Sequence, residues 1–333
     1  MKEIAYLGAG TWGFALATLL AKNGHRVRVW TRSPEFAKML QTTRAHPKLP
    51  GSHAPEQVSF TSDFNQVLQH PDVIIESVTS AGLRPVFTEL LKHTQIEVPV
   101  LLTSKGIEQE TQLLLPEVIS ELLGKERSPL VGCLTGPSHA EEVIQEQPTS
   151  IVCSAYETHI IKLICELFTT PTFRIYPNSD FHGVCFGGAM KNIIAIACGI
   201  SDGLGSGDNA KAALMTRGLH EMRKLSVAKH CRPETLNGLS GMGDLCVTCM
   251  SRHSRNYRFG KLLAEGLSPE GARQKIGMAT EGVYTCVSAR ALGRQHHIPV
   301  PITEATYSII YENLDPREAV KALLQRAIKE EHL

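Results

Sequence analysis

The chain has 333 residues, 42% hydrophobic and 20% charged, with 34 Lys and Arg against 33 Asp and Glu for a net charge of +1. Such a balance describes a globular protein with core enough for about two domains, and it excludes disorder. It also removes the electrostatic case for nucleic acid or an anionic membrane as the main partner, while leaving room for a local basic pocket and a small anionic substrate.

Met1-Lys2-Glu3-Ile4 leads straight into a strand pattern with no signal-peptide architecture, and no uninterrupted apolar run reads as a membrane span. A cytoplasmic protein without membrane insertion is expected. Glu3–Leu7 reads as a strand, followed at once by Gly8-Ala9-Gly10-Thr11-Trp12-Gly13 and a helical run Phe14–Lys22. Gly24 ends that helix, and Arg26–Trp30 makes a second strand. Set between a strand and a helix, the G-x-G-x-x-G run points to a bound dinucleotide. Gly8 permits the tight turn, Gly10 lets backbone approach a pyrophosphate, and Gly13 lets the helix pack on the strand, with the helix N-terminus facing the anion. The second strand runs into Trp30-Thr31-Arg32-Ser33, which lacks the acid that accepts from the adenosine ribose hydroxyls. A guanidinium there suits a 2′-phosphate, so NADP(H) is expected to be accepted beside NAD(H), and preferred; stacking of Arg32 on adenine is the alternative.

After a loop rich in Pro, His and Gly (Ala45–Pro55), strand-like runs at Val73–Val78, Val98–Thr103, Leu130–Leu134 and Ser150–Cys153 alternate with helical patterns at Leu83–Lys92, Leu113–Leu123 and Thr158–Phe168. Near-continuous apolar strands imply a parallel sheet covered on both faces, with ligands beyond the carboxyl ends of its strands. Two such ends carry Ser104-Lys105-Gly106 and Thr135-Gly136-Pro137-Ser138-His139-Ala140. The strand-terminal position of Lys105 favours a site role over a solvated loop lysine.

From Phe181 on, strand patterns nearly vanish and helical runs follow: a central helix beginning near Gly183, then Ala210–His230, Asn256–Glu265, Gly282–His296 and Pro316–Glu330. The expected organisation is a dinucleotide-binding domain over 1–180 and a helical substrate domain over 181–333. The run Gly188–Gly199 is apolar on every side apart from Lys191 and Asn192, so it must be buried. A lysine is almost never fully buried unless paired. Lys191 therefore reads either as a stem packed inside with its head in water, or as a working amine at the cleft between the domains. Farther on, Gly238–Leu245 is polar and glycine-rich, and Ser254-Arg255-Asn256 opens a helix. That opening offers a hydroxyl, a guanidinium, an amide and free N–H groups suited to a phosphate dianion, or else an ordinary cap with a surface arginine. The nine cysteines lie mostly in apolar contexts and read as reduced thiols. Cys246-x-x-Cys249 with His253 lacks the second ligand pair of a zinc site, and no metal is expected.

Taken together, the Gly8–Gly13 loop, Ser104-Lys105-Gly106, Gly136-Pro137-Ser138, the run Gly188–Asn209, Gly241–Leu245 and Ser254–Gly260 resemble the bacterial-type NAD(P)-dependent sn-glycerol-3-phosphate dehydrogenases over essentially the whole chain. The resemblance implies a Rossmann-like doubly wound sheet followed by an all-α domain like that of 6-phosphogluconate dehydrogenase. It implies reversible hydride transfer between NAD(P)H and dihydroxyacetone phosphate, giving sn-glycerol 3-phosphate for glycerophospholipid synthesis, in a homodimer. By the same carry-over Lys191 is the general acid/base, assisted by Lys105 and Asp244. Lys105, Gly136, Ser138, Lys191, Asp244, Ser254, Arg255 and Asn256 line the substrate. Gly8, Gly10, Thr11, Trp12, Gly13, Arg32, Lys105, Ala140, Arg255, Ala279 and Glu281 lie along the cofactor. Lys191 then needs its proton affinity lowered by burial and a nearby cation such as Lys105, with Asp244 opposing that shift and orienting the amine or a substrate hydroxyl.

Two residues depart from the family pattern: Phe14, which is expected to cost a contact to the pyrophosphate, and Ser206, which is expected to loosen a loop over the substrate. A β-hydroxyacid dehydrogenase pairs the same kinds of domain with a lysine but takes a carboxylate substrate, and is the nearest enzymatic alternative. A non-catalytic sensor of the NADPH pool needs the glycine loop but not Lys191, Lys105 and Arg255 together.

Overall fold

A computed structural model describes residues 1–327 and 330–331, and the chain divides into two compact units. The first comprises Met1–Ser104 and Leu115–Phe181; the second comprises Lys105–Leu114 and the chain from His182 on. The short segment Lys105–Leu114, which a single boundary at 180 leaves with the sheet, thus packs with the helices.

The first unit is built on one sheet of β1 (Glu3–Leu7), β2 (Arg26–Trp30), β3 (Val58–Thr61), β4 (Val73–Glu76), β5 (Val100–Leu102), β6 (Val131–Thr135), β7 (Thr149–Ala155) and β8 (Phe173–Pro177). Their order is β3-β2-β1-β4-β5-β6-β7-β8. Ile4 to Leu7 and Val73 to Ile75 are buried throughout, because helices cover both faces and leave no side for polar alternation. The chain builds outward from β1 to β3, then returns to the other side of β1, where Leu7 pairs with both Trp30 and Glu76. Ligands of open α/β sheets bind at such a reversal. The sheet is not wholly parallel, as the apolar runs imply: β6 and β7 pair antiparallel, since the connection between them holds only one turn of helix, Ala140–Val143. Edge strands β3 and β8 are short and half exposed, and the apolar-run pattern passes over both.

The second unit is helical around Phe181–Gly203. Among the described residues this is the one helix long and apolar enough to cross a membrane, although Lys191 and Asn192 interrupt its apolar run; 94% of its apolar window is buried in protein, as befits a core helix. Neighbours approach it at glycines. A Cβ added to Gly199 falls 2.0 Å from the Tyr257 carbonyl oxygen, and one added to Gly260 falls 2.0 Å from that of Ile196. The later helices include Asp208–Val227, Asp244–Met250, Arg255–Ala264, Glu281–Gln295, Pro301–Tyr311 and Pro316–Leu324. The last ends short of the expected Glu330; positions 328–329 and 332–333 lie outside the described residues.

Candidate active site

In the first unit the chain leaves β1 at Gly8, whose φ of +109° is open to glycine and strained for other residues. A Cβ at Gly8 would lie 2.9 Å from the Ser77 backbone, and one at Gly13 would lie 2.0 Å from the Gly8 carbonyl oxygen, so both glycines are required by packing. Gly10 differs. A Cβ there meets nothing within 4 Å. It is also the N-cap of the helix α1 (Thr11–Lys22), with no side chain to accept from the first turn and no acid within that turn. Open space over a glycine, directly before helix N–H groups that lack a side-chain acceptor, fits a pyrophosphate.

Phe14 does not face this space. Its ring is fully buried between His46 and Phe60, at centroid distances of 5.4 and 5.9 Å. The departure from the family pattern is therefore a core substitution. Arg32 is exposed just beyond the end of β2, and Ser33 after it caps the helix Pro34–Thr43 by accepting from Phe36 N–H at 3.1 Å. At the end of β6, the Ser138 hydroxyl donates to the Gly136 carbonyl at 3.0 Å, leading into buried Ala140.

In the second unit Lys191 lies on the apolar helix Phe181–Gly203. Lys191 is 7% exposed. Its Nζ donates to Asp244 Oδ1 and to Thr248 Oγ1, the latter at 2.7 Å. Asp244 is 1% exposed and accepts from Lys105 Nζ at 2.6 Å on its other oxygen. The local sequence accounts for the arrangement. Asp244 follows directly on the π-helical turn Leu239–Gly243 and begins the α-helical stretch Asp244–Met250, so its side chain is held within a continuous helical segment. Thr248, one turn on, lies on the same face and donates to the Asp244 carbonyl at 2.5 Å. Lys191 is brought down to about 7, chiefly by burial; Asp244 opposes the shift and Lys105 adds to it. An ammonium has three N–H bonds, and the third has no acceptor among the described residues.

Ser254 caps the helix Arg255–Ala264, accepting from Tyr257 N–H at 3.2 Å, with Arg255 half-buried beside it. Asn256 is buried, donating to Asn192 Oδ1 at 2.9 Å and accepting from Gly282 N–H at 2.9 Å. It thereby joins the segment of Arg255 to the neighbour of Lys191 and to the start of the helix that follows Ala279 and carries Glu281. Ser206 is exposed, and backbone bonds from Gly205 to Asp202 and from Ser206 to Ser201, each 3.0 Å, close its turn. Thr248 carries no signal in the sequence beyond its spacing from Asp244. Cys249 is buried and Cys246 partly so, and among the described residues no group of three or more His, Cys, Asp or Glu is placed to hold a metal ion.

The N-terminal model of NAD-dependent glycerol-3-phosphate dehydrogenase matches residues 3–161, and the C-terminal model matches residues 180–321. The chain is 60% identical to a glycerol-3-phosphate dehydrogenase [NAD(P)+] of Protochlamydia amoebophila and 55% identical to one of Chlamydia trachomatis, each over the whole of both chains. It is similar in structure to a glycerol-3-phosphate dehydrogenase from Coxiella burnetii, with a TM-score of 0.93 and 38% identity over 98% of this chain and 99% of the other.

Proposed function

The chain belongs to the NAD-dependent glycerol-3-phosphate dehydrogenase family, and from that premise we propose which of its residues carry the reaction. It is an oxidoreductase that transfers a hydride reversibly between NAD(P)H and C2 of dihydroxyacetone phosphate, giving sn-glycerol 3-phosphate. The bound nicotinamide supplies or accepts the hydride. Everything else falls to side chains. As charge develops on the ketone oxygen, the Lys191 ammonium stabilises it and delivers a proton; in the reverse direction the amine takes the proton back. A group poised at about 7 serves both directions near neutrality. Asp244 and Thr248 hold two of the three N–H directions and so aim the remaining one, while Lys105 shares the carboxylate and keeps Lys191 from binding its proton too tightly.

By this reading Gly8, Gly10, Thr11, Trp12, Gly13, Arg32, Lys105, Ala140, Arg255, Ala279 and Glu281 contact the dinucleotide, with the family resemblance as support. Gly136, Ser138, Ser254, Arg255 and Asn256 receive the phosphorylated substrate with Lys105, Lys191 and Asp244. The observation that carries the reading is a buried lysine whose partners are one carboxylate, itself shared with a second lysine, and one hydroxyl. Lys191→Ala tests it: turnover of dihydroxyacetone phosphate, followed by NADPH absorbance, is expected to vanish while NADPH still binds, and an active alanine variant refutes the assignment.

Arg32 supports a preference for NADP(H), since Thr31-Arg32-Ser33 directly after β2 holds no acid and the guanidinium is exposed there. Arg32→Ala is expected to weaken NADPH about tenfold or more and NADH far less; equal losses mean that Arg32 stacks on adenine. A cytoplasmic homodimer supplying glycerophospholipid synthesis completes the reading. Family resemblance is its support, and sedimentation of the native chain tests the dimer.

A further inference from the structure

β4 ends in an acid. Glu76 follows Val73, Ile74 and Ile75 and is, like them, wholly buried. A carboxyl in such a place is costly unless donors meet it. Ser104 gives two, its hydroxyl at 2.6 Å and its N–H at 3.2 Å, both to Oε1. Val78 N–H gives a third, to Oε2 at 3.0 Å. The main-chain carbonyl of Glu76 accepts from Thr103 as well, from the hydroxyl at 2.7 Å and from the N–H at 3.1 Å. Around it, Ser77 Oγ shares hydrogen bonds with Tyr6 OH at 2.6 Å and with Thr103 Oγ1 at 2.5 Å. The facing groups are thus Tyr6 from β1, Ser77 from its own segment, and Thr103 and Ser104 from the end of β5. Among the described residues Glu76 has no ion pair, and burial pushes its carboxyl up to about 7 against the pull of its donors.

An apolar side chain continuing the Val-Ile-Ile run would pack here without that cost. What the carboxyl accomplishes is to grip Ser104, the last residue of the sheet unit, one peptide bond before Lys105. Lysine has four rotatable side-chain bonds, so a lasting contact between Lys105 and Asp244 requires its backbone to be fixed from outside. We propose that Glu76 is a positioning residue of the reaction, which by holding the backbone and hydroxyl of Ser104 fixes the point from which Lys105 reaches Asp244. The proposal rests on the assignment of Lys191 as acid/base, because Lys105 acts there through the shared carboxylate.

The test compares full-length Glu76→Val, Glu76→Gln and Lys105→Ala by kcat and KM for dihydroxyacetone phosphate, the pH profile of kcat, NADPH affinity and thermal midpoint. In Glu76→Val, kcat is expected to fall about tenfold and the inflection belonging to Lys191 to move to higher pH, as it does in Lys105→Ala. NADPH affinity is expected to hold within about threefold. Glu76→Gln keeps one oxygen to accept from Ser104 and is expected to recover most of the loss. Should Glu76→Val not fold, Ser104→Ala removes only the hydroxyl donor and is expected to move kcat and the inflection the same way by less. If Lys105→Ala shifts the inflection while the Glu76 and Ser104 variants change only the thermal midpoint, the proposal is overturned and the Lys191 assignment stands. An inflection unmoved in Lys105→Ala overturns the shared-carboxylate account and the proposal with it, while the Lys191 assignment is decided separately by Lys191→Ala.

Discussion

Moving the Lys191 ammonium out of water costs more than its contact with Asp244 returns, and the nearby Lys105 adds to that cost. Two pH effects follow. Folded Lys191 releases its proton near 7 instead of the ordinary 10.5. Between those values the unfolded chain binds more protons than the folded one, so stability from this group rises with pH over that interval and is lost as pH falls through about 7. For activity the sign is opposite in the reductive direction: dihydroxyacetone phosphate reduction needs the ammonium, so kcat declines above about 7 and the reverse reaction gains. Lys105→Ala removes one cause of the depression and leaves Asp244 to Lys191 alone, so its inflection is expected at higher pH in pH–rate profiles. An inflection that stays put contradicts the shared-carboxylate account. The signal that exposed Lys191 in the sequence, a charged side chain inside an apolar run, is present at Glu76 too. There it falls at the end of a short strand, where a polar residue is ordinary, and only the coordinates show that Ser104 closes over it.

The turn from β1 into α1 shows what a motif does and does not disclose about an element. The spacing Gly8, Gly10, Gly13 marks the loop, but the three glycines answer to different forces. At Gly13 a Cβ meets backbone at 2.0 Å, whereas at Gly10 it meets open space. Gly13→Ala is therefore expected to cost about 1–3 kcal/mol of stability by overpacking, read as a fall in thermal midpoint. Gly10→Ala is expected to leave the stability of the unliganded protein within about 0.5 kcal/mol of native and to raise the NADPH Kd about tenfold or more by filling the space over the helix end. A destabilised Gly10→Ala that binds NADPH normally would remove the cradle from that position. Elements with long apolar runs, such as Val73–Glu76 and Phe181–Gly203, are legible because burial on all sides leaves one reading. Edge strand β3 and the helix Pro301–Tyr311 are not. The first alternates over only Val58–Thr61, and the second starts at a proline, which reads as a break although its fixed φ suits the first helical turn.

At the scale of the whole molecule, the segment Lys105–Leu114 decides how the chain divides. It leaves the sheet unit after Ser104 and packs with the helices, and Leu115 resumes the sheet unit. Ile107 and Leu114 pair as an antiparallel bridge and are buried in the core of the helical unit with Phe186, Met190 and Cys286. A linear reading, which sees one change from alternating strands to helices near Phe181, has no means of detecting an excursion this short. Its energetic weight is large nonetheless. Two fully buried aliphatic side chains contribute about 3–6 kcal/mol, comparable with the about 5–15 kcal/mol that holds a domain folded. A fragment spanning 182–333 is therefore expected to unfold at lower urea than the helical unit within the full chain, or to lose cooperativity, as followed by far-UV circular dichroism. Joining residues 105–114 to its N-terminus through a flexible linker is expected to restore the transition, and Leu114→Ala within that fusion to remove about 2–5 kcal/mol of the gain. A bare fragment as stable as its fusion would mean that the helical core closes without Ile107 and Leu114, and that Lys105 reaches Asp244 without support from the segment that follows it.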